Sequence, residues 1–85
     1  MYRIVKAIGK DGTDRIERIK EEHSLDGTFY ATPYVGGCIY FVYNDASHKM
    51  MASSTIEEIV YVNNTYKIKT RNSEYWFEEI KDNVK

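Results

Sequence analysis

The stretch Ile56-Glu-Glu-Ile-Val-Tyr-Val-Asn-Asn-Thr-Tyr-Lys-Ile-Lys-Thr-Arg-Asn-Ser-Glu-Tyr-Trp-Phe-Glu-Glu-Ile80 decides how the fold is read. It contains three strand-length runs rich in β-branched and aromatic residues, separated by Asn63-Asn64 and Asn72-Ser73. Asparagine tolerates positive φ at low cost, which suits a two-residue hairpin turn at Asn63-Asn64. That turn places Tyr61 opposite Tyr66, Ile59 opposite Ile68 and Glu58 opposite Lys69. A two-residue turn at Asn72-Ser73 places Arg71 opposite Glu74, Thr70 opposite Tyr75, Ile68 opposite Phe77 and Lys67 opposite Glu78. Tyr61, Ile59, Tyr66, Ile68, Tyr75 and Phe77 then share one face, the expected core face. On the other face opposite charges meet each time, each pair contributing about 0.2–1 kcal/mol. A slip of one residue mixes the two faces, so the pattern specifies the pairing.

Working outward, Cys38-Ile-Tyr-Phe-Val-Tyr43 is a continuous apolar run of strand length and reads as a central strand. Asn44 to Ser47 is a turn, residues 48–53 return as a strand, and Ser54-Thr55 lead into Ile56. Residues 24–37 are rich in turn formers (Asp26-Gly27, Pro33, Gly36-Gly37), yet carry Phe29, Tyr30 and Tyr34. Such a segment wraps onto the core with a short extended piece. Residues 14–23 favour a helix over a charged edge strand. Ile16 and Ile19 lie three apart, and Asp14 and Glu17 have the spacing of a capping arrangement. Residues 2–8 form a first strand that ends in the cluster Gly9-Lys10-Asp11-Gly12.

The expected fold is mainly β: a single domain over residues 1–85, with a frayed tail at 81–85. About five strands in meander order must curl to cover their edges. The result is an SH3-like antiparallel barrel or a strongly bent sheet, with one short helix at one end. Composition agrees, since eight tyrosines stand among 42% hydrophobic residues. A chain of this size buries roughly 60–65% of its unfolded surface, enough for one modest core.

Composition also narrows function. The net charge of −1 provides no whole-chain footprint for a polyanion. No apolar run approaches the length of about 18 residues needed to span a bilayer, and the first ten residues are too charged for a signal-peptide core. The single cysteine, Cys38, forms no internal disulfide, so a reducing cytoplasm is the expected compartment. Catalysis has little support. His23 and His48 lie beside turns and read as solvated side chains, and Cys38 lacks a nearby base. Adjacent acids such as Glu57-Glu58 point to opposite faces of a strand. No metal-ligand spacing appears and no cofactor or small-molecule substrate is expected.

Two binding constellations remain. Lys67, Lys69 and Arg71 line one face of a strand, with Trp76 opposite Lys69 in the expected register. Cations beside an aromatic ring hold single-stranded nucleic acid in small barrels. The acids opposite those cations reduce the field available to phosphates. Trp76 falls on the charged face, where the helix or the Phe29–Tyr34 loop covers it, or where it anchors a partner. Tyr30, Pro33 and Tyr34 would complete an aromatic patch for protein contact. The favoured expectation is therefore a non-enzymatic module that contacts a protein or itself, and nucleic-acid binding is the alternative.

Residues 50–75, with Met50-Met-Ala-Ser-Ser-Thr-Ile-Glu-Glu-Ile59 leading into Tyr66-Lys-Ile-Lys-Thr-Arg-Asn-Ser-Glu-Tyr75, resemble the C-terminal half of small uncharacterised proteins of Gram-positive bacteria. That resemblance implies a small β-barrel and carries over no activity or catalytic residue.

Overall fold

A computed structural model describes residues 1–81, so the tail expected to fray lies, apart from Lys81, outside the described residues. Six strands, β1 (Tyr2–Gly9), β2 (Asp26–Phe29), β3 (Cys38–Tyr43), β4 (Met50–Val62), β5 (Thr65–Thr70) and β6 (Ser73–Glu79), pair antiparallel in chain order among the described residues. β6 returns to β1 and closes the sheet. One short helix, α1 (Ile16–Glu22), lies between β1 and β2. The mainly-β fold with a single helix is as expected. The short extended piece expected within residues 24–37 is Asp26–Phe29, which pairs on both sides, with β1 and with β3.

The closure is uneven. β1 and β6 pair along nearly their full lengths, whereas β1 and β2 share only Tyr2↔Gly27 and Arg3↔Asp26. Past that point β1 is covered by the chain leading into the helix. Gly9 N–H donates to Thr13 O and Arg15 N–H donates to Ala7 O. The Asp14 carboxylate then accepts from Ile16 N–H and opens the helix. Ile16 and Ile19, half-buried, pack against the core and hold two turns that would not persist alone.

β4 is one strand where two were expected. Its first half pairs with β3 and its second half with β5. A bulge between Ile56 and Glu58 bends it between the two. Asn63 and Asn64, with φ of 52° and 61°, make the expected two-residue turn, and from Glu58 to Val62 the β4–β5 register is as expected.

The β5–β6 register differs by two residues. Ile68 pairs with Tyr75, Lys67 with Trp76 and Lys69 with Glu74. The cause is Thr70, whose buried hydroxyl accepts from Ser73 N–H and donates to Ser73 O. Arg71 N–H meanwhile turns to Thr55 O, and Asn72 N–H turns to the Ser54 hydroxyl. Four residues therefore form the turn. A shift of two keeps the faces but removes the expected Lys67–Glu78 and Arg71–Glu74 pairs.

Ile4, Ala7, Ile39, Phe41, Ile56, Ile68 and Phe77 fill the core, each at 1% exposure or less. Ile59 and Tyr66 are half-buried against them, but Tyr61, expected inside, is 50% exposed. It lies next to the hairpin turn, beyond the end of the core, and rests on Tyr66 with ring centroids 4.5 Å apart. Gly27 is buried beneath Phe41, and a Cβ there would come within 2.7 Å of the Phe41 ring.

Two outcomes follow from this packing. Gly27→Ala should lower unfolding stability by about 1–3 kcal/mol in a denaturant titration, the usual cost of overpacking. Burial, aided by Tyr75, Asp45 and Glu22, raises the Tyr43 phenol above its ordinary 10.0. The unfolded chain therefore loses that proton first, and stability should be full below pH 10 and fall as pH rises beyond it. Unfolding midpoints measured from pH 8 to 11 check the sign.

Candidate functional site

Outward positions are set by strand parity and pairing, so each row of the outer surface runs across several strands. On the half formed by β1, β6, β5 and the end of β4, one row reads Lys6, Trp76, Lys67, Val60. The next reads Ile8, Glu74, Lys69, Glu58. Trp76 is thus opposite Lys67 and not Lys69. The expected charged face exists and Glu58 stands opposite Lys69 as read in the sequence, but the partners across β5 and β6 differ.

Trp76 is half-buried, and neither expected cover supplies its shelter. The ammonium of Lys6 lies 4.4 Å from the ring centroid and that of Lys67 lies 4.5 Å from it, one from each neighbouring strand. The indole N–H donates to Glu74 Oε2 at 3.1 Å, and Lys6 approaches the same oxygen at 4.0 Å. Each cation–ring contact is worth about 0.5–1 kcal/mol at an exposed site. Lys6 was missed by sequence reasoning, because only the pairing of the first strand with the last brings it here.

Lys67, Lys69 and Arg71 have no carboxylate within 4.0 Å among the described residues. Lys69 nevertheless sits in register between Glu58 and Glu74. Arg71, in the β5–β6 turn, joins Lys10 and Lys69 around a shallow cleft of about 200 Å³.

Tyr30 and Tyr34 do not join Trp76. In the closed order two strands lie between β3 and β6 in either direction, so the end of the β2–β3 loop that enters β3 lies across the barrel. Pro33 is buried and the Tyr34 ring covers the backbone of Gly37, so these residues form no open groove with Trp76.

Tyr30 has other neighbours. Its N–H donates to Tyr40 O, which continues the β2–β3 register by one pair. The outward positions of β2, β3 and the start of β4 are then Thr28 and Tyr30, Cys38, Tyr40 and Val42, and Met50 and Ala52. None of these carries a charge; the one charged outward residue of β2, Asp26, lies at its first position and is paired with Arg3 at 2.7 Å. Tyr30 is 77% exposed, Tyr40 39% and Met50 46%. Tyr40 and Val42 were missed because Cys38–Tyr43 reads as one continuous apolar run; only the buried Ile39, Phe41 and Tyr43 show which alternate residues face out.

His23, expected in solvent, is packed. Its ring stacks on Tyr43 with centroids 4.1 Å apart, and Nδ1 lies 3.3 Å from Asp45 Oδ2. The Ser47 hydroxyl and N–H and the Ser24 N–H donate to the Asp45 carboxylate and hold it well below the usual carboxylate range. Among the described residues no three His, Cys, Asp or Glu side chains gather as for a metal, and no helix is long and apolar enough to cross a membrane. No protein-family model, curated protein or solved structure matches the chain.

The single tryptophan gives this geometry a direct readout. Lys67→Ala should uncover the indole, shift its emission to longer wavelength and raise its quenching by acrylamide. The loss of stability should stay near 1 kcal/mol or below.

Proposed function

We propose that this chain is a non-enzymatic contact module whose binding surface is the largely uncharged outer face of β3 and the adjoining parts of β2 and β4. It is engaged by another protein or by a second copy of the chain. The observation that supports this reading is the division of the outer surface. One half alternates lysines with glutamates, whereas the other presents Tyr30, Tyr40, Val42 and Met50, and its one charged outward residue, Asp26, is at the edge and paired with Arg3. Interface centres are depleted of charge and enriched in tyrosine and methionine. Exposed apolar patches of this kind cost a monomer solubility and typically serve a contact.

The same reading places the chain among small bacterial SH3-like domains that work in the cytoplasm. The resemblance of residues 50–75 favours the first part, and a lone unpaired cysteine favours a reducing compartment.

Nucleic-acid binding is the second reading. The specific observation in its favour is the row of Lys6, Trp76 and Lys67, beside Lys69 and Arg71, none of the last three within ion-pair distance of an acid among the described residues. Against it, Glu74 and Glu58 lie in the next row, and the indole already has an ammonium from each neighbouring strand. A base stacking there would have to displace a lysine.

Capture from lysate with tagged protein, with and without nuclease, separates the two, alongside light scattering of the pure protein. Contact through the neutral face predicts partners, or a dimer, that survive nuclease and are lost in Tyr40→Asp and Met50→Lys, both at exposed positions. Bound material that disappears with nuclease, and with rising salt, would transfer the function to Lys67, Lys69, Arg71 and Trp76.

A further inference from the structure

Where β1 leaves β2, helix α1 spans the opening and leaves a cleft of about 320 Å³ between itself and the end of the barrel. Tyr43 and Tyr75 both line it, and each is only 8% exposed. Among the described residues neither hydroxyl has a hydrogen-bond partner within the protein. Neither oxygen is sealed from solvent, and both residues line the cleft, so both hydroxyls are free to donate to a guest there. A phenol is protonated at neutral pH, and burial pushes that of Tyr43 further up, so it is a donor.

The rim adds positive charge. Arg15 and Arg18 line the same cleft, and no carboxylate lies within 4.0 Å of either among the described residues. Arg15 lies against the backbone of Gly9, where a Cβ would come within 2.6 Å of its Nη2. Glu22 is the one acid of the lining. The wall is already built, since His23 is fixed by its stack on Tyr43 and by Asp45, so little order has to be created on binding. Ile19 and Met51 supply an apolar side.

We propose that this cleft binds a small organic oxyanion, a carboxylate or phosphate monoester on an apolar body. The Tyr43 and Tyr75 hydroxyls donate to the oxyanion, Arg15 and Arg18 face it, and the apolar body lies against Ile19 and Met51. The volume is at the small end of ligand sites, which suits a single-ring compound. This site is on a different part of the barrel from the neutral face, and either reading can fail without the other. It also departs from the sequence-based expectation of no small ligand, because residues 15, 18, 43 and 75 meet only in the fold.

The test is an NMR titration of the full chain with phenyl phosphate and with benzoate, using benzyl alcohol as the uncharged control. Saturable shifts are expected for at least one anion, at residues of α1, His23, Tyr43, Met51 and Tyr75. Which anion binds identifies the group the site takes. Tyr75→Phe, which removes only the hydroxyl, and Arg18→Gln, at an exposed position, keep the fold. Loss of about tenfold in affinity in either one supports the assignment, as expected for a lost hydrogen bond to a charged group. No saturation with either anion, equal binding of benzyl alcohol, or an unchanged Kd in both variants would overturn it.

Discussion

Pairing between β1 and β6 joins the two ends of the described chain, and most of the molecule is arranged around that seam. It sets Ile4 against Phe77 and Ala7 against Tyr75, which completes the core from one side. It also brings Lys6 to Trp76. Closure over so long a stretch of chain carries an entropic cost that only buried area and satisfied backbone groups can offset. Without it both strands would show a row of unpaired donors and acceptors. The opposite flank of β1 is much thinner, with two pairs to β2 before the chain at 13–15 takes over. A sheet closed firmly on one flank and loosely on the other needs a filler. The short helix serves as one and, because it touches the barrel mainly through Ile16 and Ile19, leaves a cleft beneath it.

The division of the outer surface has a similarly simple origin. In a closed meander each outward residue has lateral neighbours on two strands, so its surroundings are set by register and not by sequence proximity. Bulges at Val5 and Glu57 keep Lys6 and Glu58 facing out while Ile4 and Ile56 face in. The result collects the strand-borne lysines and glutamates around Trp76. The pairs β2–β3 and β3–β4 collect tyrosine, valine and methionine instead. Neutral strands packed beside one another form a neutral surface whether or not that composition was selected for each strand.

How much of this was readable depended on sequence distance. The Asn63-Asn64 hairpin, its register and the two faces of β4 and β5 are local, and turn chemistry and alternation specify them. The helix was readable from Ile16, Ile19 and Asp14, although Arg15 and not Asp14 occupies the cap position. The β5–β6 turn was misjudged by two residues because Thr70 replaces a backbone pair with its hydroxyl, while the donors of Arg71 and Asn72 cross to β4. No local rule signals that exchange. The candidate site suffered more. Trp76 and the lysines of β5 were read onto one charged face, but Trp76 was set opposite Lys69 and not Lys67, and Lys6 arrives from the far end of the chain. Tyr40 and Val42 were hidden inside an apolar run whose alternation appears only once its inward partners are known.

Trp76 illustrates why residue type and binding role separate here. A lone tryptophan on a strand surface is the side chain most often found at the energetic centre of an interface. In this fold its indole N–H is taken by Glu74, and an ammonium from each neighbouring strand rests against its ring. A partner would have to replace those contacts and would recover only the difference. Tyr40 and Met50 have no such prior partners across the neutral face, so covering them removes apolar area from water without breaking anything, at roughly 25 cal/mol per Å². Per unit area covered, the gain is larger on the surface built from residues that read as core than on the one that carries the tryptophan.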